Sequence, residues 1–359
     1  MGTVHTEQRV KNLMRLVAQQ GASDLHLVVG RYPTLRIDGR LFPVSQDAVL
    51  TPADTQAMSD VIIGNNEENK NKFLADGQID LSYNFEDKAR FRVNIFFQQG
   101  YVSVAMRLIP REIRKLDELN MPEVLYDFTK FTQGLVLVVG PVGHGKSTTL
   151  AALINEINHT QEKHIVTIED PIEYIYEQDK CIINQREVFQ DSKSFQTALK
   201  AVFREDANVV LVGELRDLES ISIAMTGAET GHLIFATLHT NDSAQTIDRI
   251  IDVFPAHQQN QVRAQLANTL LGVISQRLVP RVDGGRVPAV EIMIKNHAIE
   301  NLIREGKAYQ IDNSIETSSD QGMVTMDKSL SELTRRGIIS IDTALSFAKE
   351  KNNFQALLR

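Results

Sequence analysis

A glycine-rich loop at residues 140–150, GPVGHGKSTTL, is the part of this sequence with the best-defined chemistry. From Gly140 to Ser147 it matches the spacing G-x-x-x-x-G-K-[ST], after an apolar run and before a helical pattern. Glycines let backbone N–H groups close around phosphates, Lys146 meets the phosphate charge, and the serine hydroxyl can bind Mg²⁺. The start of the predicted helix adds a positive dipole end. The residues predicted to bind a nucleotide are Gly140, Pro141, Val142, Gly143, His144, Gly145, Lys146, Ser147 and Thr148.

Two residues make this loop distinctive. Gly143 is a further glycine, which suits a backbone that closes tightly around phosphate oxygens. His144 lies where loop side chains usually point outward. We therefore expect its side chain to be a surface variation and not a phosphate contact.

Acidic residues follow two other apolar runs, HIVTIED and NVVLVGE. P-loop enzymes need carboxylates near the γ-phosphate, to hold Mg²⁺ through water and to polarise the attacking water. The carboxyl ends of parallel strands meet at one edge of a sheet, so Glu169 and Glu214 are the predicted pair. Glu214 is the natural water-activating group, and Glu169 shares the metal; Gly213 occupies the usual aspartate position. The alternative is that these acids, with Asp170, cap the helices that follow them.

His239 ends another apolar run, HLIFATLH. If that run is a parallel strand, His239 lies at the same edge of the sheet as the two acids. This segment alone leaves open whether His239 is functional or is a surface residue next to a helix cap.

The elements that must position this chemistry follow two patterns. Residues 1–108 combine helical spacing at 6–19 with short strands and turns, among them the hairpin signal Asp38-Gly39. They predict a small α+β domain with an antiparallel sheet. Residues 109–122 are charged and bracketed by prolines, which indicates a linker.

Beyond the linker the strand pattern changes. The apolar runs are continuous and alternate with helical stretches, which is typical of strands buried on both faces of a parallel sheet. We predict an α/β doubly wound core over 123–295 and a helical C-terminal extension over 296–359. The four predicted core strands are GLVLVVG, HIVTIED, NVVLVGE and HLIFATLH.

Composition limits the function classes. The chain has 359 residues, a net charge of −8 and no tryptophan, which argue against a nucleic-acid motor with a basic, aromatic channel. A single cysteine allows neither an internal disulfide nor a cysteine-rich metal site. We find no signal-peptide pattern and no apolar run long enough to span a bilayer, so we expect a cytoplasmic protein.

Four motifs occur in one order: the P-loop, TIEDPIEY (167–174), VLVGELRD (210–217) and ATLHTNDSAQT (236–246). This order resembles the secretion ATPase superfamily. ASDLHL (22–27), AIENLIREGKAYQI (298–311) and GMVTMDKSL (322–330) resemble, within it, the twitching-motility retraction ATPases of type IV pili. The match covers nearly the whole chain, and one cysteine excludes the four-cysteine zinc site usual in the extension ATPases.

The resemblance implies a PAS-like N-terminal domain and a RecA-like P-loop core in a homohexamer that hydrolyses ATP with Mg²⁺. It implies that Glu214 is the catalytic base and that His239 senses the γ-phosphate. Arg92 and Arg107 are expected to reach the γ-phosphate, because a guanidinium fork suits the spread charge of phosphoryl transfer. Arg90 and Arg216 are second choices. The alternative for each arginine is a solvated strand residue.

The same resemblance implies pilus retraction as the work done, an inner-membrane platform protein as partner, and a second retraction ATPase as a further partner. The protein would then be peripheral at the inner membrane, with no nucleic acid bound. One departure is Glu300, where the family more often has arginine. It leaves open an accessory retraction, pilus assembly or type II secretion role. A nucleic-acid translocase and a scaffold that binds ATP without hydrolysis are the remaining alternatives.

Overall fold

The computed structural model describes residues 2–37, 39–85, 89–109 and 112–358, with side chains from residue 5 onward. Asp38 of the predicted hairpin and residues 110–111 of the predicted linker lie outside that part. The chain divides into two compact units, one of Met1–Glu112 with Glu173–Ile175 and one of Ile113–Ile172 with Tyr176–Arg359. Within the described ranges, no helix is both long and apolar enough to cross a membrane.

The N-terminal unit contains the expected antiparallel sheet, six strands in the order β3-β2-β1-β6-β5-β4. Helix α1 buries Val10, Met14 and Val17, which recur at helical spacing. The N-cap Thr51 and Asp54 form a capping box that starts α2. The elements are α1 (Gly2–Gln19), β1 (Asp24–Leu27), β2 (Thr34–Ile37), β3 (Arg40–Pro43), α2 (Pro52–Ile63), α3 (Glu67–Asp76), β4 (Gln78–Phe85), β5 (Ala89–Gln98) and β6 (Tyr101–Ile109).

The second unit contains a seven-stranded sheet in the order β13-β12-β7-β11-β10-β8-β9. The predicted parallel strands pair as expected, and buried apolar side chains fill both faces. Its elements as far as residue 294, after a 3₁₀ helix at Glu123–Thr129, are β7 (Gly134–Val139), α4 (Lys146–Thr160), β8 (His164–Glu169), β9 (Ile182–Glu187), α5 (Phe195–Val202), β10 (Val209–Val212), α6 (Leu218–Glu229), β11 (Leu233–Leu238), α7 (Ser243–Asp252), α8 (Gln259–Thr269), β12 (Leu270–Pro280) and β13 (Arg286–Ile294).

One edge of this sheet differs from the prediction. Strand β12 runs parallel to β7, but β13 folds back antiparallel to β12, so the sheet is mixed. The apolar positions of this hairpin pack inward, and its β12 strand runs beside the P-loop strand β7.

The C-terminal extension is helical, as predicted. The N-cap Asn296 begins its first helix and accepts a hydrogen bond from the Ile299 N–H. Phe354 is fully buried in a small core with Leu330 and Val287, which fixes the last helix to the sheet hairpin. The elements are α9 (His297–Arg304), α10 (Ile311–Thr317), α11 (Met326–Arg335), α12 (Ile341–Phe347) and α13 (Lys351–Leu358), with short 3₁₀ turns at Ala308–Gln310 and Ser319–Gln321.

Candidate active site

The glycine-rich loop connects the buried strand β7 to the first turn of α4. Its three glycines have positive φ, 144° at Gly140, 78° at Gly143 and 85° at Gly145. L side chains rarely adopt such conformations, so glycine is required for this loop shape. Val142 and Gly143 are exposed, whereas Lys146 begins α4 and is buried. The loop therefore presents its crown outward and keeps its lysine inside.

The close approach of strand β12 is a second reason why Gly140 and Gly145 must be glycine. A Cβ on Gly140 would lie 2.4 Å from the Gln276 carbonyl oxygen, and a Cβ on Gly145 would lie 2.7 Å from the Gln276 amide nitrogen. The Gln276 amide oxygen also accepts a hydrogen bond of 2.7 Å from the Thr149 hydroxyl of α4. Gln276 thus supports both ends of the P-loop. No sequence motif marked it, because it acts through a strand pairing distant in sequence.

His144 differs from the expected outward-pointing surface residue. Its side chain is half-buried, and its Nδ1 accepts a hydrogen bond of 2.9 Å from the Leu278 N–H of β12. Burial lowers the pKa of His144, and the nearby positive charges of Arg277 and Lys146 lower it further. A neutral ring is what this acceptor role requires. His144 fastens the crown of the loop to β12.

Lys146, His239 and Glu214 come together at the carboxyl ends of the central strands. Lys146 Nζ lies 3.3 Å from His239 Nδ1, and His239 Nε2 lies 3.2 Å from a Glu214 carboxylate oxygen. Lys146 also donates to the carbonyls of Gly140 and Pro141, at 2.7 and 3.0 Å. Burial lowers the pKa of Lys146, while the Glu214 charge acts to raise it. The two contacts are both satisfied when His239 accepts at Nδ1 and donates at Nε2.

Glu214 has a second partner, Arg216, whose Nε donates to the other carboxylate oxygen at 2.8 Å. The capping alternative for Glu214 does not hold, because Asp217 begins α6 and accepts from the Ser220 N–H. Gly213 is explained by close packing: a Cβ there would lie 3.3 Å from the Ile168 carbonyl oxygen and 3.4 Å from the Glu169 Cα. Of the second-choice arginines, Arg216 is therefore placed beside Glu214, within the core unit.

Glu169 ends β8, the strand next to β10. Its side chain is buried, and one carboxylate oxygen accepts a 2.7 Å hydrogen bond from the Thr167 hydroxyl. Residues 171–181, all of which the structure describes, contain no helix, so neither Glu169 nor Asp170 caps one. Asp170 is exposed and borders a cavity of about 200 Å³ that also touches Glu214 and Arg216.

The donor set suits a metal that is held mainly by the nucleotide. Among the described residues no three His, Cys, Asp or Glu side chains come together as a metal site. The Ser147 side chain is exposed at the start of α4, where phosphates and the positive helix end would meet. A hydroxyl of this kind fits Mg²⁺, which takes few protein ligands besides phosphate oxygens.

Arg92 and Arg107 belong to the N-terminal unit and face each other directly across β5 and β6. Like charges in this position repel, and neighbouring acids offset the repulsion. Arg107 Nε donates to Asp24 at 2.8 Å, and Arg92 Nη1 lies 3.9 Å from the Glu173 carboxylate. Both arginine side chains remain accessible, at 41% exposure for Arg92 and 64% for Arg107.

The fold and the P-loop site together define a P-loop ATPase with an N-terminal α+β domain. The family model described as "Type II/IV secretion system protein" matches residues 1–293, and the chain belongs to this family. The chain is thus a nucleotide-binding secretion ATPase, and the predicted fold class and family resemblance are confirmed.

Three similar proteins are informative. The type IV pilus retraction ATPase PilT of Pseudomonas aeruginosa is 45% identical over 349 residues, 96% of this chain and 99% of that protein. A twitching motility protein of Neisseria gonorrhoeae is 48% identical over 280 residues, 78% of this chain and 75% of that protein. The crystal structure of the pilus retraction motor PilT with bound ADP matches with a TM-score of 0.90 and 44% identity, covering 96% of this chain and 98% of that one.

Proposed function

We propose that this chain is a motor that couples ATP hydrolysis to retraction of a type IV pilus, the process behind twitching motility. The observation that carries the proposal is the contact series Lys146–His239–Glu214 beside the P-loop. It supplies, at one edge of the sheet, a phosphate-binding cation, a hydrogen-bonding ring and a carboxylate. The near full-length similarity to a retraction ATPase supports the pilus as the object of the work.

Each residue has a distinct role in the proposal. Lys146 binds the β- and γ-phosphates, and Glu214 accepts the proton of the attacking water. His239 senses the γ-phosphate and, through its contact with Glu214, links the position of Glu214 to the presence of that phosphate. Mg²⁺, when bound, neutralises phosphate charge; Ser147 would hold it directly, and Glu169 and Glu214 through water.

The remaining parts extend beyond the core unit. We propose that Arg92 and Arg107 exchange their carboxylate partners for γ-phosphate oxygens, since bidentate guanidinium–phosphate pairs are strong. The motor would be a homohexamer, located in the cytoplasm and held at the inner membrane by a platform protein. A second retraction ATPase is a further proposed partner, and nucleic acid is not.

Glu300 is the one feature that favours an accessory or secretion-type role instead. Three basic groups surround it: Lys295 Nζ at 3.1 Å, His297 Nδ1 at 3.5 Å and Arg304 Nη2 at 4.0 Å. The acidic residue therefore has local partners, and its charge is accommodated by the fold. Retraction remains the preferred proposal.

Hydrolysis is tested with Glu214→Gln, which keeps the side-chain shape but removes the base. We expect kcat for ATP to fall about 10²–10⁴-fold with ATP still bound, because a positioned base supplies a factor of this size. Glu219→Gln on α6 is the matched control, because Glu219 is exposed and pairs with Lys200. Normal hydrolysis by Glu214→Gln would refute the assignment of the base.

The biological work is tested by deleting the gene in the source organism and imaging its pili. Excess, non-retracting pili that disappear on complementation with the wild type, but not with Glu214→Gln, support retraction. Loss of pili would instead identify a pilus assembly motor. DNA-stimulated ATPase activity would favour a translocase.

A further inference from the structure

The segment between His239 and α7 is held by hydrogen bonds from several elements. The Ser275 hydroxyl and the Arg277 guanidinium of β12 donate to the Asn241 carbonyl, at 2.7 and 3.1 Å. The Ser243 N–H and hydroxyl donate to Glu291 of β13, at 2.8 and 2.7 Å. The start of α7 at Ser243, four residues after His239, is therefore fixed to the β12–β13 hairpin.

Asp242 is the N-cap of α7, and its Oδ1 accepts a 2.8 Å hydrogen bond from the Gln245 N–H. Its Oδ2 lies 3.1 Å from Lys349 Nζ, which comes from the loop between α12 and α13. Asp242 is buried, so an unpaired charge on it would be costly. The Arg277 guanidinium lies close enough for its charge to act on Asp242, but among the described side chains only Lys349 is within ion-pair distance of Asp242.

Lys349 is itself held in place. Its ammonium lies 2.6 Å from the Asp312 carboxylate on α10. The backbone N–H groups of Lys349 and Glu350 donate to the two oxygens of the buried Asp327, at 2.8 and 3.0 Å. The fully buried Phe354 fixes the following helix. These contacts hold Lys349 in place, with its ammonium group next to Asp242, the N-cap of the helix that follows His239.

We propose that Lys349 is a positioning residue for ATP hydrolysis. By neutralising Asp242, it holds the start of α7, and this keeps His239 between Lys146 and Glu214. The inference rests on the proposed function, because hydrolysis is the step it supports. It connects the C-terminal extension to His239 through Asp242, three residues further along the chain.

The ion pair between Lys349 and Asp242 can be removed by changing either residue without removing the N-cap of α7. Lys349→Met removes the cation but keeps the chain length, and Asp242→Asn keeps a good N-cap acceptor but removes the charge. Lys349→Arg restores a cation. Lys307→Met is the matched control, since Lys307 forms a local ion pair, at 2.7 Å, with the exposed Glu305. The measurements are kcat and KM for ATP, the melting temperature, and amide hydrogen exchange across residues 236–246.

We expect Lys349→Met and Asp242→Asn each to lower kcat about 5- to 10-fold, the size of a single well-placed pairwise coupling. KM should stay within about twofold, because the P-loop is untouched. Amide hydrogen exchange across residues 236–246 should rise in both variants. The kcat of the double variant should be no lower than that of either single variant, and Lys349→Arg should recover most of the kcat.

Three results would overturn the inference. The first is a kcat and an amide exchange rate in Lys349→Met that equal those of Lys307→Met, and the second is a loss of kcat in the double variant equal to the product of the two single losses. The third is a lower melting temperature of Lys349→Met with kcat per folded molecule unchanged. A wild-type protein without ATPase activity would instead contradict the proposed function. The hydrogen-exchange comparison would then still test whether Lys349 holds residues 236–246 in place.

Discussion

The two sheets of this protein place their candidate functional side chains in different ways. In the parallel part of the mixed sheet, Glu169, Glu214 and His239 lie at the carboxyl ends of neighbouring strands, and Glu214 and His239 are in contact. In the antiparallel sheet, Arg92 and Arg107 lie within the strands, in register across β5 and β6, each next to an acid. Parallel strands gather chemistry at an edge, whereas antiparallel strands arrange it as a row on a face.

This difference has a mechanistic consequence. Of the strand-end residues, Glu214 and His239 already contact each other within their own unit. The arginines pair with carboxylates of their own unit, and their side chains remain accessible. We therefore expect the core residues to be needed for positioning the reaction, and the arginines for stabilising charge that appears only in the transition state.

The largest expected effect tests the arginine row. Arg107→Ala and Arg92→Ala should each lower kcat about 10³-fold, as expected for arginines that stabilise phosphoryl transfer, with ATP affinity nearly unchanged. Arg36→Ala, which removes another neighbour of Asp24 at 3.6 Å, is the control in the same sheet. Steady-state ATPase assays decide it. If the Arg107 and Arg92 variants retain wild-type kcat, the antiparallel sheet has no part in the chemistry.

The next effect concerns the strand-end group. His239→Ala removes the ring between Lys146 and Glu214, so we expect kcat to fall about 10²-fold through misplacement of both groups. His159→Ala is the control, because His159 is a half-exposed histidine that pairs with Asp179 on the same unit. A single-turnover assay separates chemistry from nucleotide release. A ring that is only structural would lower stability and leave the single-turnover rate intact.

A third test concerns the backbone of the P-loop. Gly140→Ala forces a side chain against the Gln276 carbonyl, whereas Gly143→Ala adds a methyl group to open space; both glycines have positive φ, 144° at Gly140 and 78° at Gly143. Gly143→Ala should cost about 1–2 kcal/mol of stability from backbone conformation alone. Gly140→Ala should cost at least about 3 kcal/mol, because backbone must shift as well. Denaturant unfolding measures both, and equal costs would refute the close approach of β12.

The smallest expected effect is at Glu300. Hydrogen bonding and charge from Lys295 lower the pKa of Glu300, helped by His297 and Arg304. Its ionised form therefore adds stability above the ordinary carboxyl pKa and loses it as the pH falls through the lowered value. Glu300→Gln should lower the melting temperature by about 1–3 °C at pH 7, with the difference disappearing at low pH. A difference that persists at low pH would contradict the ion-pair explanation.

Local patterns predicted some elements well and others poorly. The buried parallel strands and α4 follow from continuous apolar runs and from the P-loop spacing. Helix α3 was not predicted, because Phe73 is its only buried side chain, although Asn66 and Gly77 mark its two ends. The turn back from β12 to β13 was also missed, since an apolar strand does not encode the direction of its neighbour.

The sequence by itself determined the parallel-sheet core, the nucleotide-binding loop and the acids and histidine at the strand ends. These follow because strand periodicity and glycine spacing are local properties of the chain. Only the tertiary structure decided that Gln276 and Leu278 support the loop, that His144 faces β12, and that Lys349 reaches Asp242. Each of these contacts joins residues far apart in sequence, and the packing of sheet and helices, not a local pattern, brings them within hydrogen-bond distance.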